Sequence, residues 1–335
     1  MIDYKISYVV TTYNKLPYLK QVMERLVAAR QPDEEIVVAD GGSKDGTPAY
    51  LRGLFDAGLI QQYVSERDKG EAHGFNKCML MARGELIKII TDDDAFCYPA
   101  IREAADFMLS RPEVDVLCAN SGFIVLEDLS NIFFYEYNRI NFLRWYNEGA
   151  VTHLIGLSLI IRRSSLALTG LFHTGSVLVD SEFTFRITAL NVNIAWSSAW
   201  LSMRLDNPQS NFRNFNAPLR DDEVIRMMYY YDKQFRNDTA SILKQRIPYK
   251  EWLKKPIRPA KNAVFRMLNI PVWEAPTIPS FPTHYQHKAG DDVLDAAFRI
   301  ADEYMKEYNG QHSTEFVFRA NESSIAKTLP SINQS

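Results

Sequence analysis

The stretch Gly84-Glu85-Leu86-Ile87-Lys88-Ile89-Ile90-Thr91-Asp92-Asp93-Asp94 decides how this chain is read. A turn glycine opens it, an apolar run of strand length follows, and three consecutive carboxylates end it. Side chains alternate along an extended strand, so Asp92 and Asp94 leave its end on the same side, into the crevice where parallel sheets bind ligands. Two carboxylates held so close repel each other unless a cation lies between them. A hard divalent ion such as Mg2+ or Mn2+ takes a few carboxylate oxygens and keeps positions for phosphate oxygens, which points to a diphosphate substrate. Taken alone, the triplet equally fits an acidic loop tip or a helix N-cap, because Asp is favoured at both.

The flanking sequence reads as strand and helix in turn. Ile6 to Asn14, rich in β-branched and aromatic residues, predicts a first strand. Pro17 suits the first turn of a helix whose apolar positions are Leu19, Val22, Met23, Leu26 and Val27. Ile36 to Ala39 predicts a second buried strand that ends at Asp40 and opens into the turn-forming run from Gly41 to Thr47. A helix to Ala57, a strand from Ile60 to Ser65, a helix from Glu71 to Ala82 and a strand from Leu86 to Thr91 continue the pattern. This alternation predicts an α/β fold, with a doubly wound, mostly parallel sheet and right-handed crossovers.

Beyond the triplet, Pro99 opens a further helix and Val114 to Cys118 predicts a strand. From Ser121 to Gly149 the pattern loosens and becomes aromatic, with Phe133, Phe134, Tyr135, Tyr137, Phe142, Trp145 and Tyr146 suiting either a sugar-binding wall or core packing. His153 to Arg163 predicts a strand, Asp180 to Leu190 a helix and Ile194 to Met203 another strand, in which Trp196 and Trp200 suit stacking on a ligand or burial equally. After Pro218 the character changes. Asp221 to Phe235 predicts a helix, and a basic stretch from Lys244 to Arg266 interleaved with Trp252, Ile257 and Val264 suits a solvated helical face or a membrane surface. Pro271 to Pro282 reads as a connector and Asp291 to Tyr308 as a last helix.

With 335 residues, 46% of them hydrophobic, the chain can bury a large core. A formal net charge of -3 gives no basic field for a nucleic-acid partner. Cys78, Cys97 and Cys118 are odd in number and lack C-x-x-C spacing, which fits neither a disulfide framework nor a thiolate zinc site and points to a reducing cytoplasm. Met1 to Lys5 runs into a strand pattern without the apolar core of a signal peptide, and Leu154 to Ile161 is too short to span a bilayer. A cytoplasmic protein, at most peripheral at the inner face of the membrane, is expected.

Neither a P-loop nor a Rossmann glycine fingerprint is present, so diphosphate binding falls to the metal. In order, Val9 to Asn14, Val38 to Thr47, Ser65 to Gly70, Asn76-Lys77 and Gly84 to Asp94 resemble the motifs of family 2 glycosyltransferases, inverting enzymes with the GT-A fold. The resemblance implies a catalytic domain over residues 1–218 and a mainly helical C-terminal extension over 219–335. It implies a nucleotide-diphosphate sugar as donor, most simply a UDP-sugar, and a saccharide or lipid-linked saccharide as acceptor. Thr11, Tyr13 and Asp40 would hold the base, Arg67 or Lys69 would meet the diphosphate, and Asp92, Asp93 and Asp94 would form the donor site, with Asp92 and Asp94 as ligands of Mn2+ or Mg2+. Gly170 to Gly175 followed by Val179-Asp180-Ser181-Glu182-Phe183-Thr184-Phe185-Arg186 resembles the family's glycine turn and acidic helix, which makes Asp180 the expected general base.

Departures from the pattern leave choices open. Val179 replaces the acidic residue expected before the base, and Glu182 stands where Asp is common, so Glu182 competes with Asp180. His153 suits an acceptor or phosphate contact as well as a structural role. Arg204, Asn207 and Ser210 fall where the family has a loop near the diphosphate, with Asn207 in place of a metal-binding histidine. A nucleotidyltransferase would need a Gly-rich loop after the first strand, and Thr11 to Pro17 has no glycine. A non-catalytic carbohydrate-binding protein on the same shell is the other alternative.

Overall fold

The computed structural model describes residues 4–210, 217–237, 278–286, 290 and 292–320. Strands β1 (Ile6–Thr12), β2 (Glu34–Asp40), β3 (Gln62–Ser65) and β4 (Leu86–Ile90) alternate with helices α1 (Leu16–Ala29), α2 (Thr47–Asp56) and α3 (Glu71–Met81). Period-two alternation sends Tyr8, Val10, Ile36, Val38, Leu86 and Ile90 to one face, against Leu19, Met23 and Leu26 of α1 and Leu51 of α2. The other face takes Val9, Val37, Ala39, Ile87 and Ile89 against Phe75, Cys78 and Met79 of α3. Coverage on both faces explains why these strands read as continuous apolar runs.

All pairs in this half are parallel, in the order β3-β2-β1-β4. The chain winds outward from β1 through β2 to β3, then returns to place β4 on the other side of β1. The connections leaving β1 and β4 therefore diverge and open a crevice at the strands' carboxyl ends.

The second half contains β5 (Ala95–Phe96), α4 (Tyr98–Leu109), β6 (Val116–Val125), β7 (Asp128–Phe134), α5 (Glu136–Glu148), β8 (Ile160–Arg162), α6 (Leu166–Thr169), α7 (Val179–Ala189) and β9 (Ile194–Asp206). β8 joins β4 to β6 by antiparallel pairing on each side, β7 forms a hairpin with β6, and β9 runs beside β6 and receives β5 antiparallel. The aromatic region of loosened pattern is thus the end of β6, all of β7 and α5.

The strand expected over His153 to Arg163 is confined to Ile160–Arg162. Upstream, the amide of Leu154 donates to Thr184 Oγ1 at 3.2 Å and that of Ile155 to Asn138 Oδ1 at 2.9 Å, so side chains satisfy this backbone and no ladder forms. Trp196 and Trp200 are buried, and neither lines the cleft described below.

The described part of the segment after residue 218 joins the same sheet and core. α8 (Ala217–Tyr231) and α9 (Lys233–Asn237) lead to β10 (Ser280–Pro282), α10 (Val293–Gln311) and β11 (Phe316–Val317). β10 pairs with β7 and β11 with β9. Ala297, Phe298, Ala301 and Met305 of α10 enter the cluster that holds Tyr8 and Ile101. The basic stretch Lys244 to Arg266 and most of the Pro-rich connector lie outside the described residues. No helix among the described residues is long and apolar enough to cross a membrane.

At the opposite end from the crevice, a buried carboxylate ties β1, β2 and β4 together. Glu35 accepts from Ser7 Oγ at 2.6 Å, from the Arg83 amide at 2.6 Å and from Arg83 Nε at 2.9 Å, while Ser7 Oγ itself accepts from the Gly84 amide at 2.8 Å. Burial alone would raise the Glu35 pKa; these donors outweigh it and hold the carboxyl below its ordinary 4.5. Glu35→Ala strands those donors and should cost roughly 2–4 kcal/mol in urea unfolding. Because the folded pKa is depressed, the contribution is complete above the ordinary value and is lost as pH falls through the folded one. The gap between wild type and variant should therefore narrow below pH 4.5.

Candidate active site

The crevice at the ends of β1 and β4 is a cleft of about 830 Å³. Thr11, Tyr13, Arg67, Asp92, Asp93, Asp94 and Asp180 all line it, joined by His153, Arg204 and Ser210. Asp40 and Lys69 do not. Asp40 is fully buried, and its carboxylate accepts from the Ser43 amide at 3.1 Å and Ser65 Oγ at 2.6 Å, which closes the turn carrying Gly41 into the cleft wall. Lys69 is exposed on the turn before α3, where its amide donates to His73 Nδ1 at 3.1 Å.

The triplet is buried, and each carboxylate has its own partners. Lys15, just before α1, places Nζ 2.6 Å from Asp93 Oδ2 and 3.3 Å from Asp92 Oδ1. Asn207 Nδ2 donates to Asp93 Oδ2 at 3.1 Å. Asp94 accepts from Thr91 Oγ1 at 2.6 Å and from the Leu205 amide at 2.8 Å, which fastens the end of β4 to β9. Burial and the neighbouring Asp93 charge push Asp94 well above the usual carboxylate range, and burial raises Asp92 against the pull of Lys15. Burial would lower the Lys15 ammonium, but Asp92 and Asp93 outweigh it and raise its pKa.

Among the described residues no three His, Cys, Asp or Glu side chains converge as a closed metal cage. The arrangement fits the other kind of site, in which a hard ion takes one or two carboxylates and completes its shell with substrate phosphates and water. Desolvated carboxylates whose pKa values are driven up are donors short of positive charge.

Across the cleft, α7 begins at Val179 and presents Asp180 in its first turn. Asp180 Oδ2 accepts from the Gly156 amide at 3.2 Å and Oδ1 from the Ser181 amide at 2.7 Å, and His153 Nε2 lies 3.8 Å from Oδ2. Burial raises the Asp180 pKa, but His153 and these amides outweigh it and leave the carboxyl below its usual 3.8. The loop carrying His153 and Gly156 is held from behind. Asn141 Nδ2 donates to the His153 carbonyl at 2.9 Å, and the fully buried Lys88 donates to the Leu157 carbonyl at 2.5 Å. Burial pushes that ammonium down to about 7. Glu182 points away from the cleft, pairing with Arg186 at 2.9 Å and accepting from the Tyr231 hydroxyl.

Sequence reasoning passed over Lys15, Glu71 and Phe123, all of which line the cleft. Glu71 opens α3 and is exposed to the cleft, where partial desolvation and the Asp92 and Asp180 charges raise its carboxyl above the ordinary 4.5. Tyr135 and Tyr137 form the aromatic wall with Phe123, whereas Phe142 and Trp145 are core. Phe123 stacks on Tyr135 at 5.2 Å, and Arg204 lies over the Phe123 ring at 5.3 Å.

Comparison with known proteins agrees with this geometry. Residues 7–167 match the model of glycosyl transferase family 2. An uncharacterized glycosyltransferase of Nostoc sp. is 27% identical over 93 residues, 28% of this chain and 29% of that protein. Thus the chain spans less than a third of that curated relative. S. aureus TarS 1-349 in complex with UDP-GlcNAc superposes with a TM-score of 0.52 at 18% identity, over 72% of each chain. The mannosyltransferase PcManGT from Pyrobaculum calidifontis in complex with GDP-Man and Mn2+ superposes with a TM-score of 0.51 at 15% identity, over 92% of this chain and 88% of that one. The fold is of the GT-A type found in those two glycosyltransferases. Within it, residues 7–167 are similar to the glycosyl transferase family 2 domain.

Lys15→Ala removes the cation that pairs with Asp92 and Asp93. In EDTA the variant should melt lower than wild type by about 2–4 °C, and millimolar Mn2+ should close most of the gap in differential scanning fluorimetry.

Proposed function

We propose that this protein is a metal-dependent, inverting glycosyltransferase that moves a sugar from a nucleoside diphosphate, with UDP the first candidate, to a hydroxyl of a saccharide or lipid-linked saccharide. The observation that carries the reading is that Asp180 and the Asp92–Asp94 triplet open onto one cleft of a size that suits a nucleotide sugar. Thr11 and Tyr13 flank the base, and Asp40 serves the base pocket by fixing the turn at Gly41. Arg67 and Arg204 offer positive charge to the diphosphate from the cleft wall, with Lys69 next to it in sequence.

Asp92 and Asp94 would hold Mn2+ or Mg2+. Bound there, a divalent cation supplies charge compensation for the departing diphosphate. Asp180 takes the proton of the acceptor hydroxyl as its oxygen bonds to the anomeric carbon and the bond to the diphosphate breaks. A single displacement of this kind inverts the anomeric centre. Asp180 suits the part because it reaches the cleft as a carboxylate, whereas Glu182 is spent on Arg186 and Tyr231. The aromatic wall of Phe123, Tyr135 and Tyr137 offers apolar faces to sugar rings.

Asp180→Asn should lower turnover by roughly 10²–10⁴-fold with donor affinity unchanged, and equal turnover would sink the assignment of the base. Asp94→Ala should abolish the Mn2+-dependent part of UDP binding in titration calorimetry. UDP binding that is strong and indifferent to Mn2+ in the wild type would remove the metal from the mechanism.

A further inference from the structure

Glu223 lies in α8, beyond the end of the family match at residue 167, and its side chain is only 3% exposed. A carboxylate so enclosed needs donors, and among the described residues it has four. Ser176 Oγ lies at 2.9 Å, the Val177 amide at 2.8 Å, the Leu178 amide at 3.0 Å and Arg226 Nη2 at 3.0 Å. The Arg226 side chain is 65% exposed, so solvent screens its charge and the two main-chain amides set the geometry.

Those amides belong to the strap that runs directly into α7, two residues ahead of Asp180. Val177 and Leu178 line the same cleft as Asp180. α8 grips α7 a second time, through the Tyr231 hydroxyl on Glu182, and Glu182 in turn holds Arg186, which donates to the Thr169 and Leu171 carbonyls. The entry to α7 and its first turn are therefore fixed from one helix.

We propose that Glu223 is a positioning residue for Asp180: by accepting the Val177 and Leu178 amides it sets where the first turn of α7 starts, and hence where the carboxylate stands over the acceptor hydroxyl. The proposal rests on the reading of Asp180 as the base. It makes α8 part of the active site, although α8 contributes no group that touches the reacting atoms.

The test follows the Asp180 carboxyl directly, by carbon NMR of the full chain labelled at aspartate, with the signal assigned by its loss in Asp180→Asn. The titratable groups facing Asp180 are His153, Glu71 and Tyr137, and Glu223→Gln leaves all of them in place. That variant keeps the volume of Glu223 but offers one acceptor oxygen instead of two. Slackening the strap loosens the Gly156 and Ser181 amides from the carboxylate, so the Asp180 titration should move to higher pH. Exchange of the Val177 and Leu178 amides should speed up roughly tenfold. If Glu223→Gln does not fold, Tyr231→Phe reads the same clamp through Glu182 and should shift the same signals in the same direction by less. An Asp180 titration unchanged in the folded variant overturns the proposal and leaves the base reading standing. Undiminished turnover in Asp180→Asn overturns both.

Discussion

Three consecutive carboxylates at the end of β4 have to be neutralised where little water reaches them. Much of the surrounding architecture answers to that charge. Lys15 comes from the loop after β1, Asn207 and the Leu205 amide from the end of β9, and Thr91 from the same turn. The partners come from the loop after β1 and the end of β9 as well as from the turn itself, so assembling the acidic site also draws β1, β4 and β9 together. What these partners leave unneutralised is the charge on which the proposed binding of a cation and its phosphate-bearing ligand rests.

The two halves of the sheet divide the work. Parallel strands converge at a point where the winding order reverses, which leaves room beside the triplet for an anionic ligand. The mixed half supplies a second wall from β6, β7, the loop at residues 152–158 and α7. This wall is built of side-chain-to-backbone hydrogen bonds more than of ladders: Asn138, Asn141, Thr184 and Lys88 each hold one peptide group in place. Such bonds fix single groups at fixed points along the wall that carries Asp180.

The parallel half was legible in the sequence because burial on both faces writes continuous apolar runs, and because glycine and proline mark the turns between them. The triplet was legible through the rarity of three carboxylates directly after such a run. Asp180 could be aligned but not separated from Glu182, since the difference lies in partners that are distant in sequence, Gly156 for one and Tyr231 for the other. The loop at 152–158 was misread as strand because its apolar residues are buried without pairing. β6 was read too short, since Asn120-Ser121-Gly122 resembles a turn, while in the fold Asn120 and Ser121 bond to β9 through their side chains and Gly122 admits Phe133 and Trp200. Lys15 carried no periodicity that could have flagged it.

The late position of α10 and β11 in the chain has a bearing on synthesis. The part of the β9 edge at Trp196 and Ser197 stays open until β11 pairs with it, and Trp200 waits for Tyr304 and Tyr308 to pack beside it. Phe107 of α4 likewise waits for Phe316, which stacks on it at 4.2 Å. A nascent chain that has already emerged through β9 therefore carries a sticky strand edge and unmatched aromatic rings until some hundred further residues follow (Phe316 lies 110 positions after Asp206). During that interval the growing polypeptide is a natural client for chaperones, and a ribosome that stalls there would release a species prone to aggregate.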